Sequence, residues 1–244
     1  MYLIKDFLNS KDIYITEGKL KKVNYNKLKE EDIAKHLKTL ANFHNRVSDN
    51  QGIISLNINS EIGKQYEYYK VLLKKFKRNY LKIKELREDN VFSQTVIKYG
   101  EKIIDKGKKA ILKINYENYI LLIKRSMKRN EICLGNPCLE NIYENEKIYI
   151  NNIENLSFNL VENDIINFIN KLIKKKVEIN LEYLIDIYLK EINLDYKSKE
   201  YIISMVTFPV EAIKIFDRKI YNRKEWSDEE ASRKLISAIE KFNI

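Results

Sequence analysis

Proline occurs twice in these 244 residues, at Pro137 and Pro209, and glycine six times. Both residues interrupt helices, proline by lacking an N–H and clashing with the preceding turn, glycine through its backbone freedom. So few interruptions point to long helices joined by short connections. Apolar residues make up 44% and charged residues 33%, enough for a packed core and against wholesale disorder. The length suits one large domain or two small ones.

Apolar periodicity places the helices. Ile33, Leu37, Leu40, Phe43, His44 and Val47 recur at helical spacing over residues 30–47, and Ser48 to Gly52 has turn chemistry. A long helix over 61–87 carries the stripe Ile62, Tyr66, Tyr69, Leu73, Phe76, Tyr80 and Ile83. Its neighbour, 91–114, carries Phe92, Val96, Tyr99, Ile103 and Ile111, and the two suit an antiparallel hairpin. Further helices are predicted at 116–128, 164–175, 181–192, 198–206, 210–221 and 228–242. Ser227 and Glu230 form a capping box for the last. Between them lies a small β patch, with a strand at 131–134 and a hairpin from 142–143 to 147–151 around Glu144 to Glu146. Residues 1–25 read as irregular apart from an alternating strand, Asp12 to Glu17, closed by Gly18.

The net charge is +10, and residues 64–130 hold 19 Lys and Arg against 7 Asp and Glu. Lysine on solvated helix faces accounts for most of this, so nucleic acid is a disfavoured partner. No apolar run is long enough to span a bilayer, and the N-terminus lacks a signal pattern, which gives a cytoplasmic starting expectation. Cys133 and Cys138 are read as idle thiols rather than zinc ligands, because no second pair exists and the only histidines, His36 and His44, lie far off in sequence. The 17 tyrosines fall mostly at stripe positions, as core and rim rather than a base-stacking platform.

The segment Cys133-Leu134-Gly135-Asn136-Pro137-Cys138-Leu139-Glu140-Asn141 has the outline of a phosphotransferase catalytic loop. Such loops use an Asp as proton acceptor and an Asn five positions on as a magnesium ligand. Asn141 stands at the metal-ligand position, and Asn136 stands where the base belongs. An amide takes no proton at neutral pH.

The order of helices, β patch and helices, together with several motifs, resembles the CotS-type spore coat kinase-like family, which is similar to aminoglycoside and choline phosphotransferases. Leu40-Ala41-Asn42-Phe43-His44 resembles its "LAxFH" helix, and the basic helix pair around Phe92 its helical insertion. Cys133 to Asn141 resembles its "CHGDxxxxN" loop. Residues 150–164 resemble its metal-binding "IDF" strand and the "DLA" helix start at Asp164. Phe208-Pro209 and Trp226 resemble its C-terminal landmarks.

The resemblance implies an α+β, mainly α fold: a protein-kinase-like C-lobe over residues 26–244, with 64–114 as a basic helical hairpin insertion. Residues 1–25 are then a vestigial N-lobe or hinge segment, since they cannot build a five-stranded lobe and no Gly-rich loop occurs. The chain is a degenerate member. Leu134 stands for the loop His, Gly135 is kept, Asn136 replaces the base, and counting back from Asp164 puts Asn152 at the metal-binding Asp. Glu154 is the one carboxylate nearby and a weak cation candidate. Asn141 is read as structural, Asp164 as a helix cap and His44 as a core histidine.

The expected function is a non-catalytic, pseudokinase-like spore coat or sporulation protein acting as a binding or assembly module. It would use no cofactor or metal, its partners would be other spore coat proteins, and its place the mother-cell cytoplasm or the spore coat. Two alternatives stand beside it: a divergent small-molecule phosphotransferase active only with a partner and using Glu154, and a basic binder of nucleic acid or an anionic surface.

Overall fold

A computed structural model describes residues 2–16, 22–48, 57–86 and 89–241. They group into two compact units, residues 1–63 with 115–202, and residues 64–114 with 203–244.

The first unit holds two small sheets and most of the motifs. It opens with α1 (Tyr2–Asn9) and β1 (Ile13–Ile15). Residues 2–9 are therefore helical, not irregular: Ile4, Phe7 and Leu8 fall on one helical face and pack into the core beside Ile13. The predicted strand end at Glu17 and Gly18, and the turn from Asp49 to Gly52, lie outside the described residues. Helix α2 (Glu30–Val47) buries Ile33, Leu37, Leu40, Phe43, His44 and Val47, the stripe read from the sequence.

After β2 (Asn59–Ser60), the unit resumes at α5 (Tyr116–Arg129), which Asn115 caps through Asn118 N–H. Then come β3 (Ile132–Cys133), β4 (Ile142–Asn145), β5 (Lys147–Ile150) and β6 (Ser157–Phe158). One sheet has the order β1-β5-β4, with β1 parallel to β5 (Ile13 opposite Ile148) and β4 antiparallel to it (Ile142 opposite Ile150). Alternation buries Ile13, Ile142, Ile148 and Ile150 on one face. The other face carries a tyrosine ladder, Tyr14, Tyr149 and Tyr143, with ring centroids 6.1 and 5.0 Å apart. The second sheet is β2-β6-β3.

Helix α6 (Glu162–Lys174) begins two residues before Asp164, with Val161 at its N-cap. Helix α7 (Leu181–Ile192) packs on α2, and α8 (Tyr196–Thr207) begins in this unit.

The second unit contains α3 (Lys64–Leu86), α4 (Val91–Leu112), α9 (Val210–Ile220) and α10 (Asp228–Lys241). Helices α3 and α4 lie against each other, and α4 also meets α10. Gly100 and Gly107 of α4 allow this closeness, because a methyl at Gly100 would overlap the Tyr80 ring and one at Gly107 would crowd Leu73. Tyr69 stacks on Phe208 at 4.5 Å, and Phe76 meets Phe216 edge-on at 4.6 Å. The Ser227 hydroxyl accepts Glu230 N–H at 3.1 Å, one half of the capping box.

Candidate functional site

The loop between β3 and β4 is assembled by backbone amides finding side-chain acceptors. Leu134 and Gly135 donate their N–H groups to the two oxygens of Asp164, at 2.6 and 2.9 Å. Asp164 is fully buried and also accepts from His44 Nε2 at 3.0 Å. His44 Nδ1 meets the Tyr188 hydroxyl at 2.8 Å, so both ring nitrogens are engaged in the core. Asp164 is thus a buried anchor in the first turn of α6, not the cap itself. Gly135 sits at φ +72°, where an L side chain is strained and a Cβ would overlap the Asn155 carbonyl.

Asn141 joins the loop to the segment after β5. Its Nδ2 donates to the carbonyls of Asn136 at 2.9 Å and Asn152 at 3.1 Å. Its Oδ1 accepts Asn152 N–H at 2.8 Å, and the residue is only 2% exposed. Asn152 Oδ1 in turn accepts Glu154 N–H at 2.7 Å, and its Nδ2 donates to the exposed Glu154 carboxylate at 3.2 Å. The fold therefore brings Leu134, Gly135, Asn136, Asn141, Asn152 and Glu154 into one hydrogen-bonded neighbourhood.

Both histidines reach this region despite their distance in sequence. His36 Nε2 donates to the Pro137 carbonyl at 2.8 Å, and the ring packs on Phe168. Burial pushes its pKa down to about 4. A donor Nε2 in a neutral ring leaves Nδ1 as an acceptor. On the loop's flank, Glu140 accepts from the Tyr25 hydroxyl at 2.8 Å and Lys171 at 3.0 Å. Burial opposes its ionisation, yet these two bonds hold its carboxyl below the usual range.

His44, Cys133 and Asp164 place their ligand atoms within 4.8 Å of one another. Burial, with Asp164 beside it, pushes the Cys133 thiol well up, and its Sγ donates to the Leu160 carbonyl at 3.0 Å. Cys138 is also a free, buried thiol.

An ion network beneath the loop has no counterpart in the sequence reading. Arg125 makes paired bonds to Glu131 (2.8 and 3.0 Å) and to Glu162 (2.8 and 2.8 Å). Both carboxylate side chains are fully buried, and Ser198 completes the set on Glu162. Glu131 is next to β3 and Glu162 opens α6, so the network fixes both ends of the loop's support. Separations of 6 and 37 residues carry no periodic signal. The available signal was the choice of Arg, whose planar fork suits two buried carboxylates.

No protein-family model matches the chain. It is 24% identical over 176 residues to Spore coat protein S of Bacillus subtilis (strain 168), a match covering 70% of this chain and 50% of that protein. The chain thus spans half the length of the curated relative it matches. In fold it is similar to an aminoglycoside phosphotransferase from Alicyclobacillus acidocaldarius subsp. acidocaldarius DSM 446, with a TM-score of 0.73 and 12% identity, covering 94% of this chain and 67% of that one. The chain is thus similar in sequence to a spore coat protein over part of that protein's length, and it has the mainly helical, kinase-like fold seen in the aminoglycoside phosphotransferase.

Proposed function

We propose that this protein is a non-catalytic spore coat or sporulation protein that uses a phosphotransferase scaffold as a binding or assembly module. The observation that carries the reading is the Asn141 clamp. In the family resembled, the residue at this position faces a metal ion. Here its amide is committed to the backbone of Asn136 and Asn152, the two positions where the base and the metal-binding Asp belong. The similarity to Spore coat protein S supports the spore setting.

The donor set does not fit magnesium. That ion takes hard anionic oxygens and sheds water reluctantly. The side-chain oxygens of Asn141 and Asn152 are neutral and already accept N–H groups, and Glu154 contributes one exposed carboxylate. No phosphoryl-transfer step follows from these residues.

Calorimetric titration with ATP and magnesium tests the reading. Neither binding in the micromolar range nor transfer of phosphate to water or to aminoglycoside and choline acceptors is expected. Asn136→Asp alone should change neither result, because Asn152 remains an amide. Micromolar binding, or turnover abolished by Glu154→Gln in a complex with spore coat proteins, would overturn it in favour of a partner-dependent phosphotransferase.

A further inference from the structure

The positive charge of this protein belongs to one unit. Residues 64–114 with 203–244 hold 23 Lys and Arg against 13 Asp and Glu, a net +10, while the other unit holds 22 of each. Within the charged unit, Lys102, Lys106, Lys109 and Lys113 follow at intervals of four, three and four residues, which is one face of α4 continued onto its C-cap, Lys113. They line a cleft of about 550 Å³ with Asp105, Ala110 and Thr207. Lys106 is half-buried there, and desolvation lowers the pKa of its ammonium. Asp105, the one carboxylate in the lining, leans toward Lys108 at 4.0 Å. The lysines therefore face the cleft with a surplus of positive charge.

The lining also selects among anions. It contains no aromatic ring, so a single nucleic-acid strand would find nothing to stack its bases on. It contains no arginine fork and no helix N-terminus, the usual holders of phosphate. Lys113 instead follows the C-terminal end of α4, and Thr207 ends α8, where helix carbonyls repel dense negative charge. What remains is a row of point charges along about 16 Å of helix, at 1.5 Å per residue. That row matches carboxylates spaced along another helix.

We propose that this cleft docks an acidic helical segment of a partner protein, with Asp or Glu recurring every three to four residues. The inference names the partner chemistry of the binding role proposed above and rests on that reading. The two fail separately, because ATP binding and turnover test one and peptide binding the other.

The test uses the full chain and a fluorescein-labelled helical peptide with Glu at four-, three- and four-residue spacing in an Ala/Gln host, followed by anisotropy. Binding is expected to weaken about tenfold or more between about 50 and 200 mM NaCl, as for any contact made by several charges. K102E/K109E should weaken it at least about tenfold, while K74E/K77E on α3 should leave it within about twofold. All four lysines are exposed, and circular dichroism checks that each variant is folded. Equal binding by a peptide of the same charge with scrambled spacing would overturn the proposal. So would displacement by oligothymidylate at equal charge, which would assign the cleft to nucleic acid.

Discussion

Asn141 binds two chain segments together by giving two hydrogen bonds and accepting one, and each of its partners is backbone. A clamp of this kind needs the donor side of the amide. Asn141→Asp keeps size and acceptor but puts a carboxylate against the carbonyls of Asn136 and Asn152. It should cost about 2–4 kcal/mol, more than Asn141→Ala, because unmade buried bonds are joined by repulsion. Urea denaturation of the two variants checks the order; an Asp variant as stable as wild type would mean the amide donors are dispensable. His36 gives a pH signature. Its folded pKa of about 4 lies below the unfolded value, so the unfolded state takes up the proton first as pH falls. Its contribution is full above about pH 6.5 and is lost on descent through pH 4, by up to about 3 kcal/mol at 1.36 per pH unit. In His36→Gln that part of the slope should disappear from stability measured between pH 7 and pH 4. The roles of Asn136, Asn141 and Asn152 could be posed from sequence because their spacing is local. That Asp164 anchors Leu134 and Gly135 could not, since a carboxylate opening a helix looks the same whether it caps that helix or holds a loop 30 residues away.

Elements were legible where one face is apolar and both ends are polar. Helices α2 and α7 begin and end where the stripe predicts, and α4 and α5 differ by one or two residues at their C-termini. Helix α1 is not legible in the sequence because eight residues give barely two turns of pattern, and its helicity follows from packing Ile4 and Leu8 into the core. The strands are two to four residues long and their pairing is tertiary, so the sequence located the β patch but not the parallel β1–β5 contact. What holds α5, β3 and α6 in place is the buried Arg125 network. Removing its cation strands Glu162 and leaves Glu131 with Arg129 alone at 3.7 Å, so Arg125→Met should cost about 3–5 kcal/mol. Burial, against the pull of Arg125, already raises the Glu131 pKa. Adding Glu131→Gln and Glu162→Gln to the Arg125 variant should return much of the loss, because the penalty lies in unpaired charge rather than in missing attraction. Thermal denaturation of the single and triple variants decides this; a triple variant no better than the single would locate the cost in packing.

Across the whole molecule, the sequence showed a basic middle but not how it is partitioned. The contiguous window 64–130 mixes α5, which folds with the neutral unit, and omits α9 and α10, which fold with the charged one. Only the fold reveals a unit of zero net charge beside one of +10. Like charges crowded on one unit oppose its compact state. The lysine row on α4 is a local form of that cost, since Lys102 and Lys106, and Lys109 and Lys113, stand one helical turn apart. Reversing the first member of a pair converts repulsion into a favourable Glu-to-Lys step of about 0.3–0.5 kcal/mol. Lys102→Glu lies well inside α4, clear of the helix C-terminus where an added anion would be penalised, and should raise Tm by about 1–2 °C at low salt. The gain should shrink toward physiological ionic strength as screening weakens both the repulsion and the new pair. The same substitution should weaken the acidic peptide. A row of lysines kept only for solubility would allow the first effect without the second, so stability and binding moving in opposite directions in one variant is the outcome that separates a docking cleft from a solvated helix face.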